Sequence, residues 1–312
     1  GTRLTPVLAI TLVAAAAFRI AYLLQYRATS VFFDAPLLDA AVYDGWARRI
    51  AAGEWAPAEP FFFSPGYAYA LGLFYAAFGR SLLAVYAVQL VLGLVSLVLV
   101  HRLTTLTFGR RAGDVAAVLA ALYAPLPFLE TKLMSASLAL VLLLGALSVL
   151  AGGVARGGRW RPALAGVLLG VTSLIRPETL LLGVFLLPWL WRAWPREAGN
   201  AGPPLAALAG LVLGWGLAIA PDALHNVRHG AGTSLIASHG ALTFYQSNNP
   251  RARGLYTFLR EEGFSGSPET EMEEEKAIVG KALGHPPTRP EMSAYWYGRG
   301  LEFIRDQPGA FV

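Results

Sequence analysis

Long apolar runs separated by short polar turns dominate the chain. Such runs are typical of membrane-spanning helices, each of which needs about 20 residues. They cover residues 6–24, 81–100, 115–129, 133–150, 163–175, 180–191 and 205–220. Only helices and closed barrels satisfy the backbone in lipid. The pattern therefore predicts an all-α polytopic membrane protein, a transmembrane helix bundle of about seven spans.

Residues 27–80, between the first two runs, have a different pattern. From residue 40 to 52, apolar residues recur at spacings of three and four, while Arg48 and Arg49 fall on the opposite side. This predicts an amphipathic helix lying in the membrane interface, with Trp46 as an anchor. Asp39 stands where it would serve as the N-cap of that helix, a role that requires no chemistry.

Residues 61–78 are apolar enough to span, but Ser64-Pro65-Gly66 interrupts them near the start. The remaining residues, 67–78, are fewer than a span needs. We therefore expect an interfacial or partly embedded helix. If this segment spans instead, the orientation of every later helix reverses.

The basic residues fall in alternate loops between the apolar runs. The proposed inner positions include Arg3, His101, Arg102, Arg110, Arg111, Arg159, Arg161, Arg192 and Arg196. This positive-inside pattern places the N-terminus in the cytoplasm and residues 27–80 and 225–312 on the outer face. Arg19, in the last turns of the first run, either snorkels to the interface or faces a polar cavity.

The composition agrees with a membrane protein: 55% of residues are hydrophobic and 14% are charged, against about 25% charged in soluble domains. The net charge of +5 is spread over short clusters between apolar runs, which indicates topology rather than nucleic-acid binding. The chain has no cysteine, which excludes a disulfide, a cysteine zinc site and a thiol nucleophile. His225, His229 and His239 lack a metal-ligand spacing, so no metal site is predicted.

Two domains are expected: a transmembrane bundle over residues 1–224, including the outer segment 27–80, and an outer region over residues 225–312. The outer region carries an acidic run at 269–275, interpreted as a solvated face, and an amphipathic stretch at 295–304. No apolar run closes the chain, so we expect a longer natural protein with further C-terminal spans.

On this topology, polar side chains from separate outer turns collect at one membrane face. Each alone fits a solvated turn residue, but together they suggest a cavity with a function, since charges at the ends of spans are costly to bury. They are Asp39, Asp44, Glu130, Lys132, Arg176, Glu178, His225, Asn226, His239, Tyr245, Asn248 and Asn249. Carboxylates there could accept a proton from an attacking hydroxyl, and arginines could hold a phosphate leaving group.

Several motifs carry a family resemblance. They are Asp39-x-x-x-Tyr43 followed by Gly53-Glu54-Trp55, Pro65 in an aromatic stretch, Tyr123-Ala-Pro with Glu130, Leu174-Ile-Arg176-Pro177, and Phe244-Tyr-Gln-Ser-Asn248-Asn249-Pro250 with Gly254. The chain resembles the GT-C superfamily of integral-membrane glycosyltransferases. In particular it is similar to bacterial relatives of the protein O-mannosyltransferases and of the lipid A aminoarabinose transferase.

The resemblance implies a polyprenyl-phosphate-linked sugar donor and a lipid, glycan or protein acceptor at the outer face of a bacterial inner membrane. It implies that Asp39 is the general base of an inverting transfer, with Glu130 as a second catalytic acid that orients the acceptor or supports Asp39. Arg176 and Lys132 would bind the donor phosphate. The implied substrate-binding residues are Tyr43, Asp44, His239, Tyr245, Asn248 and Asn249.

Two positions depart from the pattern of many relatives. Ala40 stands where a second acid often follows the catalytic Asp, and Ser64 stands where some relatives carry a basic residue. Phosphate binding is thereby left to Arg176, Lys132 or later arginines such as Arg251 and Arg253. A divalent metal is compatible with the superfamily, but these residues require neither a metal nor another cofactor.

Two alternatives remain open at this stage. A transporter or flippase of a lipid-linked glycan would place its polar groups near the bilayer midplane on broken helices. Here Gln89, Ser96 and Thr172 are the sparse polar groups within spans, so the sequence favours a site at the membrane face. A non-catalytic scaffold that binds a partner through residues 225–312 would not need the acids around Asp39.

Overall fold

The computed structural model describes residues 4–156, 158, 160–194, 204–252 and 256–311. Arg3, Arg159, Arg196, Arg253 and Gly254, which the sequence interpretation used, lie outside these residues. The described part contains fourteen α-helices and two short 3₁₀ helices, and no strand. It divides into two compact units, one of Gly1–Gly53 with Gly66–Ala220 and the other of Glu54–Pro65 with Pro221–Val312.

The helices of the first unit follow one another with short connections. They are α1 (Pro6–Thr29), α2 (Asp39–Ala51), α3 (Gly66–Phe78), α4 (Leu82–Phe108), α5 (Arg110–Leu122), α6 (Pro125–Glu130), α7 (Ala136–Arg156), α8 (Trp160–Ile175), the 3₁₀ helix Pro177–Leu182, α9 (Gly183–Ala193) and most of α10 (Leu205–Arg228).

Four helices in the described part are long and apolar enough to cross a membrane: α1, α4, α7 over Ala136–Ala155, and α10. The prediction of an all-α polytopic membrane protein is thus confirmed. The other predicted runs fall on shorter helices. Residues 115–129 are divided between α5 and α6, residues 163–175 lie in α8, and residues 180–191 are shared by the 3₁₀ helix and α9. The count of about seven spans stays a prediction.

The predicted amphipathic helix forms as α2 and packs tightly on α3. A Cβ atom at Gly72 of α3 would overlap the side chain of Ile50, so only glycine allows this approach. The expectation that Asp39 is the N-cap was wrong by one position, because Leu38 takes the cap and Asp39 is the first helical residue. An acid in the first turn still interacts favourably with the helix dipole.

The start of α3 is fixed against the end of α8. A Cβ atom at Gly66 would overlap the backbone of Leu174 and the side chain of Ile175. The surrounding core is apolar and aromatic, and includes Tyr67, Tyr75, Tyr86, Leu90, Leu133 and Ile175. This packing places the residue after Ile175, which is Arg176, beside the α2–α3 pair.

The second unit contains the last turns of α10, α11 (Gly240–Ser247), the 3₁₀ helix Arg260–Glu262, α12 (Glu271–Leu283), α13 (Arg289–Asp306) and α14 (Pro308–Phe311). Its core is built around Trp296, which is fully buried. A capping box of Thr288 and Glu291 starts α13. The acidic run 269–275 was expected to be a solvated face; this was wrong for Glu271 and Glu275, which are buried.

The segment Glu54–Pro65 belongs to this second unit because its backbone is bonded there. Phe61 N–H donates to Asn226 Oδ1 at 2.9 Å. The carbonyls of Phe61 and Phe62 accept from the N–H groups of Ser238 and His239, at 2.9 and 3.2 Å.

Candidate functional site

The first turns of α2 bring an exposed acid next to a half-buried phenol. Asp39 is exposed, and Tyr43 lies one turn further along the same helix. Burial raises the pKa of the Tyr43 phenol above its ordinary value, and the negative charge of Asp39 raises it further. The positive charge of Arg176 acts in the opposite direction on the same pKa. Charges at the start of α2 and after the end of α8 are therefore both within electrostatic reach of Tyr43.

Arg176 is accessible as well as close. Its side chain is 43% exposed and its guanidinium lies 3.8 Å from the carboxylate of Glu178, a loose contact. Glu178 also raises the pKa of Tyr43. A guanidinium held this loosely can exchange its carboxylate for a phosphate of higher charge.

The backbone before Asp39 is in an unusual conformation. Leu38 has φ 54° and ψ −133°, and among the described residues it is the one non-glycine with positive φ. Such conformations cost free energy and concentrate at functional sites, where the surrounding structure enforces them. The strain lies directly beside the candidate base.

Asp44, predicted to bind substrate, is buried among donors. Its carboxylate accepts from the Tyr75 hydroxyl at 2.7 Å and from Arg80 Nε at 2.9 Å, and it lies 3.3 Å from Arg48 Nε. These bonds join α2 to α3 and to the segment that precedes α4. A substrate role for Asp44 stays a prediction.

Glu130, predicted to be a second catalytic acid, forms a buried ion pair. Its carboxylate accepts from Arg19 Nε at 2.7 Å and from Arg19 Nη2 at 3.1 Å. Both side chains are 2% exposed or less, so Arg19 faces the interior and does not snorkel. A Cβ atom at Gly93 of α4 would overlap the Glu130 carboxylate, so this glycine makes room for the pair.

Lys132, predicted to bind the donor phosphate, lies over an aromatic ring. Its Nζ atom is 3.4 Å from the centroid of Tyr26 and 5.2 Å from that of Phe128. Its backbone carbonyl accepts from Gln89 Nε2 at 2.7 Å. The turn between α6 and α7 is thereby attached to α4.

The candidates of the second unit are largely engaged within it. His239 Nε2 lies 3.1 Å from Glu271 Oε2, and Tyr245 is buried beneath the guanidinium of Arg299 at 4.5 Å. Asn249 is fully buried and donates to the carbonyls of Tyr245 and Gln246.

Asn248 donates to the Phe244 carbonyl at 2.8 Å. Asn248 also lines a small open pocket of about 200 Å³, together with Ser247, Ala252, Phe303, Ala310 and Phe311. The described residues contain no group of three or more His, Asp or Glu side chains arranged to hold a metal ion.

Sequence reasoning missed three residues that organise this region: Tyr67, Tyr75 and Arg80. Gln89 was noticed as a polar group within a span, but it was given no role. Tyr67 and Tyr75 lie in an apolar aromatic segment where nothing distinguishes hydrogen-bonded hydroxyls from packed rings. Their partners are far away in sequence, so only tertiary structure reveals them.

The family model of dolichyl-phosphate-mannose-protein mannosyltransferases matches residues 59–217, half of the chain. The chain belongs to this family. It is therefore a mannosyltransferase-like membrane glycosyltransferase, and the predicted GT-C resemblance is confirmed. No curated protein and no solved structure matches the chain. The matched range includes Glu130, Lys132 and Arg176 and begins after Asp39, Tyr43 and Asp44.

Proposed function

We propose that this member of the family transfers a sugar from a polyprenyl-phosphate-linked donor to an acceptor hydroxyl, with inversion, using Asp39 as general base. The contact that carries the proposal is between Tyr43, one turn after Asp39 on α2, and Tyr67 of α3, whose ring centroids are 5.0 Å apart. The residue before Tyr67, Gly66, packs on Leu174, two positions before Arg176. A carboxylate and a guanidinium from two helices that are far apart in sequence thus both act on the pKa of Tyr43.

The two charged groups have complementary tasks in such a reaction. Asp39 accepts the proton of the acceptor hydroxyl as its oxygen attacks the anomeric carbon. The bond between that carbon and the phosphate oxygen breaks, and the polyprenyl phosphate leaves with the bonding electrons. Arg176, with Lys132 as a second cation, stabilises the negative charge on the leaving phosphate. Attack opposite the leaving group gives the inverted product.

The predicted orientation, with basic residues clustered in the proposed inner loops, favours a site on the outer face. The name of the family, dolichyl-phosphate-mannose-protein mannosyltransferase, points to dolichyl-phosphate mannose as the donor and protein as the acceptor. Polyprenyl-phosphate mannose is therefore the first donor to test, with lipid, glycan and protein hydroxyls as acceptors.

The decisive experiment compares Asp39→Asn with Asp34→Asn in the full chain reconstituted in lipid. Asp34 is a matched control because it is an exposed carboxylate in the same segment. We expect Asp39→Asn to reduce kcat by about 10²–10⁴-fold, the range for losing a general base. Binding of polyprenyl-phosphate mannose should stay close to that of the wild-type chain, and Asp34→Asn should transfer normally.

Other outcomes would change the role assigned to Asp39 or the reaction itself. Normal kcat in Asp39→Asn would place the base elsewhere. Loss of donor binding in that variant would make Asp39 a structural residue at the start of α2. Movement of the lipid-linked sugar across the membrane without any transfer would favour a transporter.

A further inference from the structure

Gln89, a buried polar side chain of the first unit, joins the turn between α6 and α7 to the candidate site. Gln89 lies on α4, one of the helices apolar enough to span a membrane, and is 3% exposed. Burying an amide in such surroundings is costly unless its hydrogen bonds are made. Its presence there points to a specific function for those bonds.

Both ends of the Gln89 amide are bonded. Nε2 donates to the backbone carbonyls of Glu130 and Lys132, at 2.8 and 2.7 Å. Oε1 accepts from the hydroxyl of Tyr67 at 2.8 Å. One side chain therefore ties the turn that carries Lys132 to the first turn of α3.

Tyr67 continues this link toward the site. Its ring meets the ring of Tyr43 edge-on, with centroids 5.0 Å apart and planes at 88°. The residue before it, Gly66, touches the backbone of Leu174, two positions before Arg176. Tyr67 is thus held between α2, α8 and Gln89.

We propose that Gln89 is a positioning residue for sugar transfer. Through Tyr67, it fixes the position of Tyr43 relative to the turn between α6 and α7. Asp39 and Arg176, which lie close to Tyr43, are thereby held in place as well. This inference rests on the proposed function. Gln89 itself contacts no substrate, and its effect is carried by the Tyr67 hydroxyl and ring.

The kinetic test uses Gln89→Met, which keeps the side-chain length without the hydrogen bonds, and Tyr67→Phe, which keeps the ring without the hydroxyl. We expect each to reduce kcat about tenfold through misalignment of reacting groups, with donor KM within about twofold of wild type. Since both changes cut the same link, the double variant should be no worse than either single one.

A Gln89→Glu variant adds a pH signature. A protonated carboxyl can donate one hydrogen bond and accept another, so it can replace part of the amide; an ionised carboxylate can only accept. We expect its kcat relative to wild type to fall as pH rises through the pKa of the new carboxyl. A residue that only fills space would lower the yield of folded protein without creating this step.

The matched control is Ser96→Ala on the same helix. Ser96 is as deeply buried as Gln89, but its hydroxyl donates to Leu92 O of its own helix at 3.1 Å. Its loss should leave kcat unchanged. A fall in kcat equal to that of Gln89→Met would overturn the inference, because it would show that any polar loss in α4 impairs transfer.

A structural measurement separates this inference from the proposed function. With 3-fluorotyrosine at position 43, its ¹⁹F resonance should move in Gln89→Met and stay in place in Ser96→Ala. If the resonance moves in a chain that transfers no sugar, the link from Gln89 through Tyr67 to Tyr43 is supported and the proposed function is excluded. An unmoved resonance, with wild-type kcat in Gln89→Met and Tyr67→Phe, overturns the positioning role.

Discussion

Some charged side chains of the first compact unit are accessible, whereas a group of charged side chains in the second unit is paired internally. In the first unit, Asp39 is exposed and Arg176 keeps a 43% exposed side chain with only a loose partner at 3.8 Å. In the second, His239 is paired with Glu271, and Arg289 with the buried Glu275 at 3.2 Å. Asp39 and Arg176 of the first unit therefore keep accessible charge, whereas these residues of the second unit are paired with one another.

This difference separates groups that could react from groups that hold shape. A buried, fully bonded side chain has no capacity left for a substrate without losing the bonds that place it. Asn249 of the second unit fits that description, whereas Asp39 is exposed. We therefore expect the second unit to present a shaped surface and the first to supply the reacting groups.

The same contrast exists inside the first unit between two acids. Asp39 is exposed on α2, whereas Glu130 is enclosed with Arg19 and backed by Gly93. Both were candidate catalytic acids in the sequence. Their surroundings predict that replacing one mainly affects turnover and replacing the other mainly affects stability.

The largest stability effect is expected for Glu130→Gln. It leaves the buried Arg19 without its counter-ion, which costs about 3–5 kcal/mol. The thermal midpoint of the purified chain in detergent should fall markedly. Glu178→Gln is the control, because its carboxylate is 63% exposed and surface substitutions usually change stability by about 0.5 kcal/mol or less. Equal midpoints for both variants would refute a structural role for the Arg19–Glu130 pair.

A pH-dependent stability of the second unit should follow from Glu275. Burial, opposed by the charge of Arg289, raises the pKa of this carboxyl from 4.5 to about 7. The folded state therefore holds the proton more tightly than the unfolded state. The stability that this proton provides is complete below pH 4.5 and is lost as pH rises through about 7, roughly 3 kcal/mol in all.

Glu275→Gln should remove the loss of stability that the wild-type chain shows as pH rises through about 7. Unfolding followed at pH values from 4 to 8 would then show a flatter profile for this variant than for wild type. Glu273→Gln, an exposed neighbour on α12 whose side chain is 68% exposed, should keep the wild-type slope. A wild-type profile that already rises toward pH 7 would contradict the assignment.

A smaller effect is expected for Arg176→Ala. Because this guanidinium is accessible and loosely paired, its loss should leave stability unchanged and weaken donor binding about tenfold, or 1.4 kcal/mol. Titration with polyprenyl-phosphate mannose measures the donor affinity, and the KM for the acceptor should change less than the donor affinity does. Arg49→Ala, an exposed arginine of α2, is the control. Unchanged donor affinity would remove Arg176 from the phosphate site.

The hydrophobic pattern along the sequence determined the features of this protein that depend on local periodicity and composition. It predicted the helical membrane class and the amphipathic helix α2. The resemblance that the family match then confirmed came from separate motifs, such as Asp39-x-x-x-Tyr43. Apolar runs and helix faces are properties of neighbouring residues, so they can be read along the chain. The site residues and domain bounds drawn from the sequence stay predictions, as does the topology.

Tertiary structure decided the surroundings of each polar residue. Glu130 and Asp39 are both acids beside an apolar run, and only packing shows that one is enclosed with Arg19 while the other stays exposed. Packing also assigned Glu54–Pro65 to the second unit and gave Gln89 its three partners. These outcomes depend on contacts between residues far apart in sequence, and such contacts leave no local pattern.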